Sequence, residues 1–345
     1  MQRFNQNPLI RPTDVQPSRS DFQVIGAFNA AVARYEGKIL LLVRIAERPK
    51  ERDPNWVIAP IWNTDTGEID QYRVPRKQAD TSDPRIFRYQ DKVYLTSISH
   101  LRLARSSDGV RFEIDTQPAL EPATPTESFG LEDPRITPID GAFWITYKAV
   151  SKHGIATSLA HTRDFQTFTR HGTLFCPENL DVVLFPEKIR GLYAAWTRPV
   201  GNLVGSPTIW AARSPDLLHW GDHQPVLWPR PGKWDAARVG SSCVPFRTEK
   251  GWLEIYHGAS PDDVYGVGTV LIDHNDPTKV LARSDAPWMK PEAPYEKGGF
   301  FGDVVFPCGA DVRSDGSIVV YYGAADESIC AATTSIDELL HHLPR

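Results

Sequence analysis

The stretch Asp133-Pro-Arg-Ile-Thr-Pro-Ile-Asp-Gly-Ala-Phe-Trp-Ile-Thr146 has a near copy, Asp83-Pro-Arg-Ile-Phe-Arg-Tyr-Gln-Asp-Lys-Val-Tyr-Leu-Thr96, 50 residues earlier. Each copy is an apolar strand, a short polar turn and an aromatic-rich strand, the pattern of a β-hairpin. Looser versions recur at 30–44 around Glu36-Gly37, at 185–196 around Arg190-Gly191, at 244–257 around Lys250-Gly251 and at 304–323 around Asp315-Gly316. A second element follows several of them. Ser107-Asp-Gly-Val-Arg-Phe112, Thr162-Arg-Asp-Phe-Gln-Thr-Phe168 and Ser214-Pro-Asp-Leu-Leu-His-Trp220 each set an Asp four residues before an aromatic, a polar turn leading into an outer strand. Hairpin plus outer hairpin makes a four-stranded unit of roughly 50–60 residues, the repeat of a β-propeller. Two stacked β-sandwiches are the alternative, although they do not require such recurrence.

Helix is scarce. Ser335 followed by Glu338 reads as an N-cap opening one short C-terminal helix. Residues 45–82 lack a clear hairpin and are rich in Pro, Asp and Arg, so they read as a long excursion at the channel mouth. A chain of 345 residues can bury a substantial core, and the whole of 1–345 is expected to form a single domain. A net charge of −5 with both signs interspersed, and no basic tract, argues against nucleic-acid and anionic-membrane partners. The segment from Met1 to Pro8 has no apolar core, and no run approaches the length of a membrane span. Cys176, Cys243, Cys308 and Cys330 show neither disulfide-framework nor zinc spacing. The expectation is a soluble, cytoplasmic protein, unless a signal peptide precedes this sequence. Homo-oligomerisation is left open.

In a propeller the inner strands line one cavity, so residues at their starts converge. Those positions are Asn29, Asp83, Asp133, Asp181, Arg238, Asp303 and Asp326, with Arg44, His100, Arg198, Tyr256 and His257 at strand exits. Pro134 biases Asp133 toward an extended backbone at the mouth of a strand, a placement suited to a catalytic carboxyl. Carboxyls facing cations in a cleft are what glycosidic-bond cleavage needs. The plainer possibilities are that Glu132 or Asp133 caps a turn and pairs with Arg135, and that a solvated channel carries its charges idly. No GxSxG, GxGxxG or GxxxxGK[ST] is present, and no spacing supports a metal or any other cofactor.

Phe28-Asn29, Gly130-Leu-Glu-Asp-Pro-Arg-Ile-Thr137, Leu184-Phe-Pro-Glu-Lys-Ile-Arg-Gly191, Ser214-Pro-Asp-Leu-Leu-His-Trp-Gly221, Gly251-Trp-Leu-Glu-Ile-Tyr-His-Gly258 and Val305-Phe-Pro-Cys-Gly309 with Tyr321-Tyr-Gly-Ala-Ala-Asp326 resemble the family 130 glycoside hydrolases and phosphorylases. The resemblance implies a five-bladed β-propeller that cleaves β-mannosides with inversion. It implies Asp133 as the general acid, acting in the phosphorylases through a hydroxyl of the sugar. The hairpins number six, so the copy at Asp83 is expected to be an elaboration or an extra strand pair. Asn29, Arg44, Asp83, His100, Glu132, Asp181, Tyr256, Asp303 and Asp326 are the expected substrate-binding residues. Arg198, Arg238, His257 and Tyr265 are expected on phosphate or a sugar oxygen.

Three positions depart from the phosphorylase pattern. Leu180 stands where a cation is usual, Thr197 where His is common and Ala30 where Ser or Pro is common. A phosphate dianion in a partly desolvated site needs several charge-assisted hydrogen bonds, so losing one cation and one or two donors should weaken its binding by a few kcal/mol. Water as nucleophile needs a base instead, and Glu178 and Asp181 flank the altered position. The expected activity is therefore inverting hydrolysis of short β-manno-oligosaccharides. β-Mannoside phosphorolysis with inorganic phosphate, releasing mannose 1-phosphate, is the alternative, and a non-catalytic glycan-binding propeller is a third reading. Trp56, Trp62 and Trp288 are candidates to stack on outer sugars.

Overall fold

A computed structural model describes residues 1–51, 53–201 and 204–344. The chain is all-β, with two short α-helices at Pro294–Lys297 and Ile336–His341. The second begins where expected, Ser335 Oγ accepting the Glu338 N–H at 3.1 Å. No helix among the described residues is long and apolar enough to cross a membrane.

The expected hairpins are present as antiparallel meanders. The largest sheet has eight strands and contains two meanders in succession. The first comprises Phe22–Tyr35, Lys38–Pro49, Ile98–Ser106 and Glu113–Ile114; the second comprises Gly130–Ile139, Ala142–Ser151, Gly154–Thr162 and Thr169–Phe175. One parallel pairing, Gly130 with Ser99, joins them. Further meanders follow at Asn179–Leu227 and Arg238–Arg283. The last sheet holds Val305–Val312, Ser317–Ala324 and Ser328–Ser335, and its outer strand is Gln2–Arg3 from the other end of the chain.

Successive side chains on a strand face opposite ways, so a strand buried throughout feeds two cores. Lys38–Pro49 does this. Ile39, Leu41, Val43 and Ile45 pack with Val319, Tyr321 and Ile329 of the last sheet, whereas Leu40 and Leu42 pack with Leu101, Leu131, Ile136 and Ile145. Trp252–Ala259 behaves alike: Leu253 and Ile255 face Val305 and Ile318, while Trp252 and Tyr256 face Phe185 and Trp196.

The three polar turns share one mechanism. Asp108, Asp164 and Asp216 each accept two following backbone N–H groups through Oδ1, and each sits two residues after a Ser or Thr whose hydroxyl bonds back to it.

The expectation for residues 45–82 needs correcting. Trp56–Asn63 and Glu68–Pro75 form a hairpin there, closed by Asp65 and Gly67 in the turn, although Arg52 lies outside the described residues. The Asp83 copy forms a separate two-stranded sheet, Ile86–Tyr89 with Lys92–Leu95. The two hairpins share a small core of Val57, Ala59, Val74 and Phe87. Cys176, Cys243, Cys308 and Cys330 are free thiols.

Candidate active site

Three inner strands carry the same irregularity. Pairing slips between Phe28 and Ala31, between Glu132 and Arg135, and between Leu180 and Val183. Inside each slip stands a residue in the left-handed region: Asn29 at φ 49°, Asp133 at 45° and Asp181 at 53°. A bulge leaves its extra residue unpaired and re-aims the side chain, and short polar side chains tolerate this backbone best. Asp133 is therefore not extended as Pro134 suggested; the bulge prevails over the local preference.

The turned-in side chains meet. Asp133 Oδ1 accepts from Asn29 Nδ2 at 2.9 Å and from Arg44 Nη1 at 3.1 Å, and Asp133 Oδ2 accepts from Lys148 Nζ at 2.6 Å. Arg44 Nη2 also reaches Glu132 Oε1 at 2.6 Å. These groups border a cavity of about 150 Å³, with Asp326, Arg85, Tyr265, Phe301 and Phe306 completing its wall. That is room for one six-membered ring.

Burial alone would raise the Asp133 pKa. Lys148, Arg44 and Arg135 together outweigh it and hold the carboxyl well below the usual range. Burial raises Glu132 despite Arg44, with Asp133 adding to the rise. Asp326 is pushed up to about 6 by burial, which Asp133 and Glu132 reinforce and Arg44 and Arg85 oppose.

A raised carboxyl pKa means the folded protein holds the proton more tightly than the unfolded chain, whose Asp titrates near 3.9. The contribution of Asp326 to stability is complete below that value and is lost as pH rises through about 6. Asp326→Asn is thus expected to melt higher than the wild type at pH 8, by on the order of 2 °C, with the gap closing by pH 4. Thermal unfolding at the two pH values checks this, and a lower melting point for the variant at pH 8 contradicts it.

A second layer lies beside the cavity. Asp181 accepts from Arg198 Nη2 at 2.6 Å and Nε at 2.8 Å, and lies 3.1 Å from Lys148 Nζ, 3.4 Å from Arg135 Nη2 and 3.4 Å from His257 Nε2. Burial would raise its pKa, but the Lys148 and Arg198 cations, helped by the hydrogen bond from His257, depress it far below normal. Burial lowers His257 to about 4 against the pull of Asp181, so the ring is neutral at pH 7. With Nε2–H toward Asp181, Nδ1 accepts from the Ser242 hydroxyl at 3.0 Å. Arg238 reaches the cavity through Tyr265, whose hydroxyl it contacts at 2.8 Å, and its other nitrogen holds Asp263 at 2.6 Å.

Several expected residues lie elsewhere. His100 faces away from the cavity, 3.0 Å from Arg102 in a buried cluster with Glu47, because its neighbour Ser99 takes the face that contacts Arg44. Tyr256 is displaced by the same alternation: His257 points inward, while the Tyr256 hydroxyl bonds Asp235 at 2.9 Å and Arg283 at 3.0 Å. Asp83 lines an outer groove and clamps Arg85 at 2.8 Å, and it is Arg85 that enters the cavity. Asp303 is exposed and offers its carbonyl to the Tyr265 N–H. Trp288 is a core residue. Trp56 and Trp62 line separate grooves. Neither carboxylate expected as a base is free: Asp181 is surrounded by cations, and Glu178 accepts the Ile155 N–H in an outer groove.

Lys148, Arg85, Phe301 and Phe306 were not singled out from the sequence. Lys148 had a signal, as the lone charge in the otherwise apolar and hydroxylated strand Ala142–Ser151. It faces Glu132 across the ladder and brings a cation to the flank where Leu180 replaces one. Arg85 had one too, as the Arg of the first Asp-Pro-Arg copy.

Residues 84–345 match the family model described as beta-1,4-mannooligosaccharide phosphorylase, and the chain belongs to glycoside hydrolase family 130. It is an enzyme acting on glycosides. It is 46% identical to a beta-1,2-mannobiose phosphorylase of Listeria innocua over 99% of this chain and 98% of that one. The structure of the Listeria enzyme with beta-1,2-mannobiose superposes with a TM-score of 0.96. A 1,2-beta-oligomannan phosphorylase of a Thermoanaerobacter species is 40% identical over 70% of this chain and 80% of its own length. A beta-1,4-mannooligosaccharide phosphorylase of Ruminococcus albus is 30% identical over 82% of this chain and 90% of its own. These relatives favour phosphorolysis over the expected hydrolysis.

Proposed function

We propose that the protein is an inverting β-1,2-mannoside phosphorylase, which transfers a terminal mannosyl group to inorganic phosphate. We further infer that residues 1–345 form one catalytic domain, a five-bladed propeller. Dividing the eight-stranded sheet at its single joining pair leaves five successive meanders, and the N-terminal strand completes the fifth.

The observation that carries the activity is Lys148, a buried cation shared between Asp133 at 2.6 Å and Asp181 at 3.1 Å on the edge of the cavity. In this reading the terminal mannose fills the cavity. Phosphate enters on the flank of Lys148, Tyr265 and Arg238 and attacks the anomeric carbon. The bond from that carbon to the glycosidic oxygen breaks, and the oxygen takes a proton that originates at Asp133, relayed by a sugar hydroxyl as the family resemblance implies. The products are α-mannose 1-phosphate and the shortened sugar.

The depressed pKa of Asp133 fits this sequence of events. Without phosphate, Lys148 and Arg44 keep the carboxyl ionised. A phosphate anion beside Lys148 offsets that cation, so the Asp133 proton affinity rises when the co-substrate arrives. Hydrolysis has weaker support, because both candidate bases are engaged. Incubation of purified protein with β-1,2-mannobiose, followed by phosphorus NMR and sugar analysis, tests the proposal. Mannose 1-phosphate should form in step with phosphate consumed. Release of two mannoses at an undiminished rate without phosphate would overturn it.

A further inference from the structure

A groove of about 830 Å³ lies between the added hairpins and the second meander. One wall carries Trp62 and Asn63 from Trp56–Asn63 and Tyr94 from Lys92–Leu95; the other carries Lys152 and His153 from the turn after Ala142–Ser151. Ser128 and Phe129 lie between them. The parts are fixed to the catalytic strand. The Trp62 backbone N–H donates to the Ser128 carbonyl at 2.8 Å, and the Phe129 backbone N–H donates to the Val150 carbonyl at 2.8 Å. Phe129 runs directly into Gly130, and Glu132 on the cavity wall follows two residues later. At about 3.3 Å per residue, the groove begins roughly 10 Å from Glu132, a span of about two sugar rings.

The aromatic residues of the groove differ in how they are held. Tyr94 is packed between Tyr72 at 5.0 Å and Phe87 at 5.2 Å. Trp62 is half-buried, and among the described residues its indole ring stacks on no other ring and its indole N–H donates no hydrogen bond. A flat apolar face beside polar side chains suits a pyranose, whose C–H face stacks while its hydroxyls find donors and acceptors. The charged groups of the groove, Asp70, Asp91, Lys92, Lys152 and Glu178, mix both signs, which favours a neutral polyhydroxylated ligand over a polyanion.

We propose that this groove holds the outer mannosyl residues of a β-mannan chain whose terminal unit lies at Asp133, so that oligosaccharides longer than the disaccharide are the preferred substrates. The proposal rests on the phosphorylase reading. It is tested by comparing kcat/KM for β-1,2-mannobiose and β-1,2-mannotetraose, at saturating phosphate, in the wild type and in Trp62→Ala. The tetrasaccharide should lose about tenfold in the variant and the disaccharide less than twofold, with Trp62→Phe recovering most of the loss. Lys152→Ala with His153→Ala, a surface change that leaves the core intact, should weaken the tetrasaccharide in the same selective way. Equal losses on both substrates, or none on either, would overturn the groove.

If the wild type consumes neither substrate, the phosphorylase reading fails instead. Calorimetric titration of mannotetraose into Asp133→Asn, with and without Trp62→Ala, then decides the groove alone. A tenfold weaker dissociation constant for the double variant supports it, and an unchanged one refutes it.

Discussion

Asp133→Asn is expected to lower phosphorolysis of β-1,2-mannobiose by about 10³-fold while leaving the sugar's dissociation constant within a few-fold of the wild type. The substitution is nearly isosteric. An amide oxygen still accepts from Asn29 and Arg44, which are 2.9 Å and 3.1 Å away, so the wall of the cavity stays in place. What it removes is the proton that the departing oxygen must take up. It also sets an amide N–H₂ against the Lys148 ammonium, which can still turn to Asp181 at 3.1 Å. Steady-state kinetics and calorimetry on the same variant separate the two quantities. A rate within tenfold of the wild type would remove Asp133 from its role.

Lys148→Met is expected to lower kcat/KM for phosphate by about 10²-fold, with a smaller change for the mannoside. The same change also destabilises the fold, because it strips a partner from two buried carboxylates. Breaking a buried pair costs about 3–5 kcal/mol, although Arg44, Arg135 and Arg198 remain near Asp133 and Asp181 and should reduce that figure here.

The pH dependence has a definite sign. In the wild type Asp133 is depressed, so its stabilisation is present above the unfolded value near 3.9 and is lost as pH falls through the lower folded value. Removing Lys148 raises the Asp133 pKa and shrinks that contribution, so the variant's deficit in melting temperature should be largest near neutrality and smaller in acid. Lys148→Arg should restore part of the phosphate dependence. Loss of mannoside affinity with an unchanged phosphate response would place Lys148 on the sugar instead.

Much of this arrangement was legible in the sequence because it rests on short-range chemistry. The recurring hairpins, the Asp108, Asp164 and Asp216 turns and the Ser335 cap all follow from patterns a few residues long. Asn29, Asp133 and Asp181 could be found because short polar residues interrupt otherwise apolar inner strands, although they sit within those strands rather than at their starts and their left-handed bulges could not be inferred from composition. The failures have two physical sources. A strand's alternation turns adjacent residues opposite ways, so choosing His100 over Ser99, or Tyr256 together with His257, required a register that sequence alone does not supply. Electrostatic substitution across strands was equally hidden: Leu180 suggested a missing cation, and the replacement, Lys148, comes from a different sheet.

A crystal structure of Asp133→Asn with β-1,2-mannobiose and phosphate decides where the two substrates meet. The terminal mannose is expected in the cavity between Asn29, Arg44 and Asp326, and phosphate with an oxygen about 3 Å from Lys148 Nζ, in line with the anomeric carbon and the glycosidic oxygen. Phosphate bound away from Lys148 and Tyr265, or a sugar seated with its glycosidic bond remote from residue 133, would contradict it.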